Sequence, residues 1–273
     1  MPHKNTFSEE AVINDLPSLV SHSPKSMGWD IDRTGEGVKI AIIDTGKPDH
    51  NCLVQNIADS INFTSSPSAN DTIGQSTIVA GIIGANDPDK IVGIAPSVEL
   101  YFAKINNDDG TVELDSFVAS FLWCIIKNVD IIVMPMTTDI SSDLFKEVVD
   151  KAINANICII TSSGFKGYTQ YPGSYEGVLS VGALKQNKEL ADFSQDGKVN
   201  MVGTSICSTY VNQTYCVASG SAIATAAIGG LAALVVEEMK ANGLVEPIEV
   251  YKKIEILCKG KSNGHESSES VEG

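Results

Sequence analysis

Asp44 ends the run Val38–Asp44, VKIAIID, and is followed by Thr45-Gly46. Open α/β sheets bind their ligands beyond the carboxyl ends of such strands, so Asp44 is a candidate to orient a partner or exchange a proton. Capping the turn that follows is the plainer role, and it fits the same spacing. The four histidines are His3, His22, His50 and His265, and none lies between His50 and His265. His/Cys metal clusters are therefore not available to the middle of the chain. Six cysteines (Cys52, Cys124, Cys158, Cys207, Cys216 and Cys258) stand far apart, with no CxxC. Cys124 and Cys158 sit in apolar runs and read as buried thiols. Cys207 and Cys216 can meet across a hairpin as a disulfide or stand as two reduced thiols. The N-terminus shows no basic head followed by an apolar stretch, which favours the thiols. The acidic turns Asn86–Asp89 and Asn107–Gly110 can take calcium, but neither has EF-hand spacing. Gly35-Glu36-Gly37 precedes a strand instead of following one, so it is no dinucleotide fingerprint. A phosphate loop with its Gly-Lys-Ser/Thr end does not occur.

The elements that would position Asp44 can be read from periodicity. Near-continuous apolar runs at Val38–Asp44, Leu100–Ile105, Asp130–Met134, Ile157–Thr161 and Gly177–Val181 predict strands covered on both faces, hence a parallel sheet. A helix is predicted over Glu113–Lys127, with Phe117, Phe121 and Ile125 on one face. Another is predicted over Ser142–Ala155, opened by a serine cap and turning Leu144, Val148 and Ile153 inward. The alternation of strand and helix predicts an α/β domain with right-handed crossovers. Ala222–Ala241 predicts a long apolar helix. Its Gly229 and Gly230 each cost a helix about 1 kcal/mol, so close packing is expected there. Pro247–Cys258 predicts a final amphipathic helix. Thr6–Glu9 reads as a capping box opening a short helix through Leu16. The polar tail from Lys259 onward reads as disordered.

Composition narrows the partners. The chain has 273 residues, 43% hydrophobic, enough for a sizeable core. Its 19 basic and 34 acidic residues give a net charge of −15. Such a chain is repelled by phosphate backbones and anionic lipid, which argues against nucleic acid and membrane surfaces. The apolar run Ala226–Val236 is shorter than the roughly 20 residues of a membrane span.

Several segments together resemble the subtilisin-like serine protease family, the subtilases or peptidase S8 family. Gly35–Gly46, GEGVKIAIIDTG, resembles its aspartate motif. Asp71–Gly81, DTIGQSTIVAG, resembles the histidine motif D-x-x-G-H-G-T-H-V-A-G, and Ile91–Lys104 the stretch after it. Asp109-Gly110, Trp123 and Phe193-Ser194 fall where the family carries similar residues. Gly220–Leu231, GSAIATAAIGGL, resembles the serine motif G-T-S-M-A-x-P-H-V-A-G. The resemblance runs from about Ser23 to Val236. It implies a doubly wound, mostly parallel sheet with helices on both faces, and a nucleophile opening the glycine-rich helix. The expected organisation is an N-terminal extension over 1–22, a subtilase-like domain over 23–258 and an acidic tail over 259–273.

Carried over position by position, the resemblance keeps the family's aspartate as Asp44 and loses the rest. Gln75 stands at the histidine position, with Ser76 and Ile78 replacing the glycine and second histidine of that motif. Ala222 stands at the nucleophile position, and Ala226-Ala227 replace Pro-His. Phe165 stands at the oxyanion asparagine. The substrate-binding edges correspond to Met134, Pro135, Met136 and Thr137 on one side and to Ser163 and Gly164 on the other. His50 matches a structural loop histidine. An amide has no pKa for proton transfer, alanine has no attacking oxygen and phenylalanine offers no hydrogen to an anion. Gln75 is expected to donate a hydrogen bond to Asp44 and to favour its ionised form. The expectation is a cytoplasmic pseudoprotease that binds a peptide or protein, such as an active protease, without a cofactor. Calcium is implied by the family, but Cys52 stands where its loop aspartate binds the ion and the loop Gly84–Val92 looks shortened. The alternative is a serine-type endopeptidase or hydrolase whose site is rearranged, with Asp44 and Ser221, or engineered out at Ala222.

Overall fold

The computed structural model describes residues 7–164, 169–243 and 245–260. In chain order the elements are β1 (Phe7–Ile13), β2 (Val20–Ser21), β3 (Lys39–Asp44), β4 (Ile57–Asn62), α1 (Gln75–Gly84), β5 (Asn86–Asp87), β6 (Ile91–Val92), β7 (Glu99–Lys104), α2 (Leu114–Lys127), β8 (Ile131–Met134), α3 (Asp143–Asn154), β9 (Cys158–Ser162), β10 (Val178–Leu184), β11 (Val199–Val202), β12 (Ile206–Thr209), β13 (Tyr215–Gly220), α4 (Ser221–Ala241) and α5 (Pro247–Gly260).

The apolar runs form a seven-stranded sheet of order β11-β10-β9-β8-β3-β7-β4. Every neighbouring pair in it is parallel. Strand β3 lies between β7 on one side and β8 on the other, so the strand order reverses there and Asp44 ends the strand at the switch. Side chains alternate across the pleat. Ile40 and Ile42 join the core under α1, α4 and α5, while Ala41 and Ile43 join the core under α2 and α3. Helices on both faces explain why the central strands are mostly apolar, as in IIVM of β8 and the IAII stretch of β3. Helix α4 is long and apolar enough to cross a bilayer by composition, yet 83% of its most apolar window is buried inside the protein. Its glycines mark close approaches, since a Cβ on Gly229 would lie 2.7 Å from Val133 and one on Gly230 2.7 Å from Ile94.

The structure corrects three expectations and decides a fourth that was left open. Phe7–Ile13 is a strand, not a helix, and pairs antiparallel with β13, Phe7 opposite Gly220 and Ile13 opposite Tyr215. The open edge of β13 overrides the local helix signal; Thr6 of the expected capping box lies outside the described residues. In α3, Leu144 is 53% exposed. Ser142 caps this helix by accepting from the Phe145 N–H at 3.0 Å. That cap phases Phe145, Val148, Val149 and Ala152 inward instead. Of the two readings of Cys207 and Cys216 the reduced one is found: Cys216 faces Ser208 across the β12–β13 pair and Cys207 faces Val217, so the two are one residue out of register and form no disulfide. The last helix runs to Gly260, two residues past its expected end. The tail from 261 lies outside the described residues.

Candidate functional site

Two clamps place Gln75 over Asp44. The first is Asp71, whose Oδ1 accepts from the N–H groups of Ile73 (3.1 Å) and Gly74 (2.8 Å). Its Oδ2 accepts from the Thr77 N–H (2.8 Å) and hydroxyl (2.7 Å). These bonds satisfy donors that the start of α1 would otherwise leave unpaired. Gly74 turns the chain into the helix at φ 104°, and a Cβ there would run into the Tyr210 ring. The second clamp is Thr45, whose Oγ1 accepts from the Ser76 N–H at 3.0 Å and so ties the end of β3 to the helix start. Gln75, the first residue of α1, then donates from Nε2 to Asp44 Oδ1 at 3.1 Å.

The predicted amide–carboxyl bond is therefore present and favours the ionised form as expected, but burial outweighs it. Asp44 is fully buried, and burial pushes its carboxyl well above the ordinary range. The nearby charge of Asp71 adds to the rise, while Gln75, Thr45 and Lys104 offset it in part. Its Oδ2 has no hydrogen-bond partner. Desolvation outweighs one neutral amide donor. The sign of the stability effect follows. A carboxyl whose folded-state pKa is raised contributes fully below its unfolded pKa, and loses that contribution as pH rises toward the folded value. Asp44→Asn keeps the shape and cannot ionise. Its melting temperature is expected to match the parent at acid pH and to exceed it by a margin that widens toward neutral pH. Melting curves across pH check this, and a margin that shrinks with pH refutes it.

Ala222 is the second residue of α4 and is fully buried, and Ser221 before it is buried as well. Helix α4 packs against α1. The two edges read from sequence lie side by side at the carboxyl ends of β8 and β9. Met134 closes β8 and is followed by Pro135, Met136 and Thr137, while Ser163 and Gly164 follow β9. The edges are tied by Thr161 Oγ1 donating to the Met136 carbonyl at 3.1 Å. Ser163 Oγ donates to the Gln195 carbonyl at 2.7 Å. Phe165 lies outside the described residues.

Sequence reasoning missed Gln170. Its Oε1 accepts from Thr137 Oγ1. A Cβ on Gly164, which sits at φ 80°, would lie 2.5 Å from Gln170 Cγ. The glutamine side chain thus stands between the two edges and narrows the space they bound. Beside it opens a polar cavity of about 460 Å³ lined by Ser163, Thr169, Gln170, Ser174, Ser180 and Gln195. Nothing in the local sequence marked Gln170, because its role depends on Thr137, 33 residues away.

No described imidazole serves Asp44. His50 Nε2 meets the Thr214 carbonyl at 3.0 Å, and its Nδ1 accepts from the Cys52 N–H at 3.3 Å. Burial pulls its pKa below the ordinary value. His22 Nε2 meets the Cys207 carbonyl at 2.8 Å. The carboxyl end of the sheet nevertheless keeps polar groups. Asp44 Oδ2, Ser76 Oγ, Asn106 Oδ1 and Ser162 Oγ are all buried there without a partner. Four orphans from four segments at one end of a sheet mark a mouth built for polar chemistry.

Comparison with known proteins agrees with this geometry. Residues 35–254 match the model of the subtilase family. The chain is 36% identical over 208 residues to a thermostable alkaline protease of Halalkalibacterium halodurans, covering 74% of this chain and 57% of that protein. It is 33% identical over 235 residues to subtilisin DY of Bacillus licheniformis, covering 82% and 84%. It is 31% identical over 268 residues to an intracellular serine protease of Paenibacillus polymyxa, covering 91% and 82%. With the motifs in order, Asp44 at the switch of a parallel sheet and relatives named as proteases along most of its length, this chain belongs to the subtilase family.

Proposed function

We propose that this subtilase-family chain is a catalytically inactive member that acts by binding a peptide or protein. The observation that carries the reading is the 3.1 Å bond from the Gln75 amide to buried Asp44, made where the family would place a base. Acyl transfer by a serine needs a group that accepts the hydroxyl proton and later returns it. Gln75 does neither, and Ala222 supplies no oxygen to attack. In subtilisin, loss of the serine or the histidine lowers the rate by about 10⁶, or ~8 kcal/mol of barrier. A peptide partner suits the paired edges after β8 and β9 and the polar cavity beside them. An active protease that shares a peptide substrate is one such partner. The free thiols and the likeness to an intracellular serine protease support a cytoplasmic setting.

A rearranged serine hydrolase is the second reading, favoured by Ser221 next to the nucleophile position. One residue along a helix turns a side chain by about 100°, which aims Ser221 away from the direction that Ala222 takes. Labelling by a fluorophosphonate probe and a sensitive peptidase assay separate the two readings. No labelling and no turnover are expected. Labelling of Ser221, or turnover that disappears in Gln75→Ala, overturns the inactive reading.

A further inference from the structure

The turn around Cys52 meets the β5–β6 hairpin on the flank of α1, where the family resemblance puts a calcium-binding carboxylate. Calcium requires six to eight hard oxygen ligands at about 2.3–2.6 Å. The residues present do not fit it. Cys52 is only 2% exposed. Its Sγ donates to Asp87 Oδ2 at 3.6 Å and lies 3.6 Å from Tyr215 Oη. Burial holds this thiol above its ordinary pKa. A protonated sulfur is a soft, neutral group that calcium does not select.

The oxygens of the junction already have donors. The Cys52 carbonyl accepts from the Asn86 N–H at 2.8 Å, and the Asn86 carbonyl accepts from the Gln55 amide. The Ala85 carbonyl takes the Gly93 N–H at 2.8 Å, and the Asp87 carbonyl takes the Lys90 N–H at 3.1 Å. Asp87 Oδ1 takes the Asp89 N–H at 3.0 Å. Outside this ring of bonds the N-terminal segment closes the hairpin. β2 pairs with β6, and Lys90 Nζ lies 2.5 Å from Asp15 Oδ1. Among the described residues no three His, Cys, Asp or Glu side chains converge as ligands.

We infer that this junction holds no calcium and is closed instead by the chain's own groups, with the Cys52 thiol seated between Asp87 and Tyr215 and the N-terminal segment strapped across the hairpin through Lys90 and Asp15. The inference stands apart from the question of catalytic activity. Thermal unfolding of the whole chain, in chelator and in millimolar calcium chloride, tests it. The parent and Asp87→Asn are each expected to melt at the same temperature in both solutions. Cys52→Asp sets a second carboxylate beside Asp87. Its melting temperature is expected to fall by several degrees in chelator and to recover in calcium, which shows that the measurement reports on this junction. A calcium-dependent rise in the parent that is lost in Asp87→Asn overturns the inference. A rise of equal size in both places the ion elsewhere in the chain and leaves the junction as assigned.

Discussion

Ala222→Ser alone is expected to leave the chain inert, and Gln75→His combined with Ala222→Ser is expected to make it react. A serine at the head of α4 has a hydroxyl but no base, because the side chain that donates to Asp44 Oδ1 from the family's histidine position is an amide. A histidine at 75 starts from a position whose side chain already reaches Asp44. One ring nitrogen can donate to that carboxylate while the other faces the hydroxyl, the arrangement that fixes the tautomer of a catalytic histidine. The new imidazolium also adds a positive charge to that of Lys104, which draws the carboxyl back toward ionisation. A positioned base contributes about 10²–10⁴-fold. The double variant is expected to gain fluorophosphonate labelling of that order over Ala222→Ser, while Gln75→His alone, with no hydroxyl at 222, is expected not to label there. Phe165→Asn, which puts back the residue type that the family resemblance implies at this position, is expected to add about 10²–10³-fold. Labelling rates for the four variants decide it. If Ala222→Ser labels as fast by itself as the double variant, the amide at 75 is not what silences the site.

The largest stability effect is expected at Asp71. Its two oxygens hold four donors, three of them backbone N–H groups at the start of a buried helix. Asp71→Ala leaves these donors without a partner in a region closed to water. Leaving buried donors unsatisfied costs about 1–3 kcal/mol each, less where the helix end relaxes, so a total of about 3–5 kcal/mol is expected. At ~2–4 °C per kcal/mol for a chain near this size, the melting temperature drops by about 6–20 °C. Asp71→Asn retains one acceptor oxygen and is expected to lose roughly half as much. Urea unfolding of both variants measures the difference, and equal midpoints for parent and Asp71→Ala would falsify the capping role.

Much of this architecture was readable in advance, for a physical reason. A strand buried on both faces is apolar along most of its length, with polar groups falling near its ends, so Val38–Asp44, Leu100–Ile105 and Asp130–Met134 declare themselves without their neighbours. The serine cap of α3 was equally plain, but the phase it sets was not, and Leu144 lies on the outside as a result. What escaped the sequence depends on partners far along the chain. Strand β1 exists because β13 offers an edge some 200 residues later; Ser8 and Ser219 are 211 positions apart. Gln170 matters because it bridges to Thr137 and packs on Gly164. The bond from Gln75 to Asp44 was foreseeable from the motifs. The protonation preference of Asp44 was not, because it is governed by how completely the carboxyl is buried.

The anchoring of α1 by Asp71 and Thr45 has a consequence for how such a chain can change over generations. The start of α1 is held by Asp71 and Thr45, side chains other than the one at position 75. On the function proposed above, replacements at 75 and 222 would erase an activity while Asp71 and Thr45 still hold the helix start, leaving a well-formed groove available for another use.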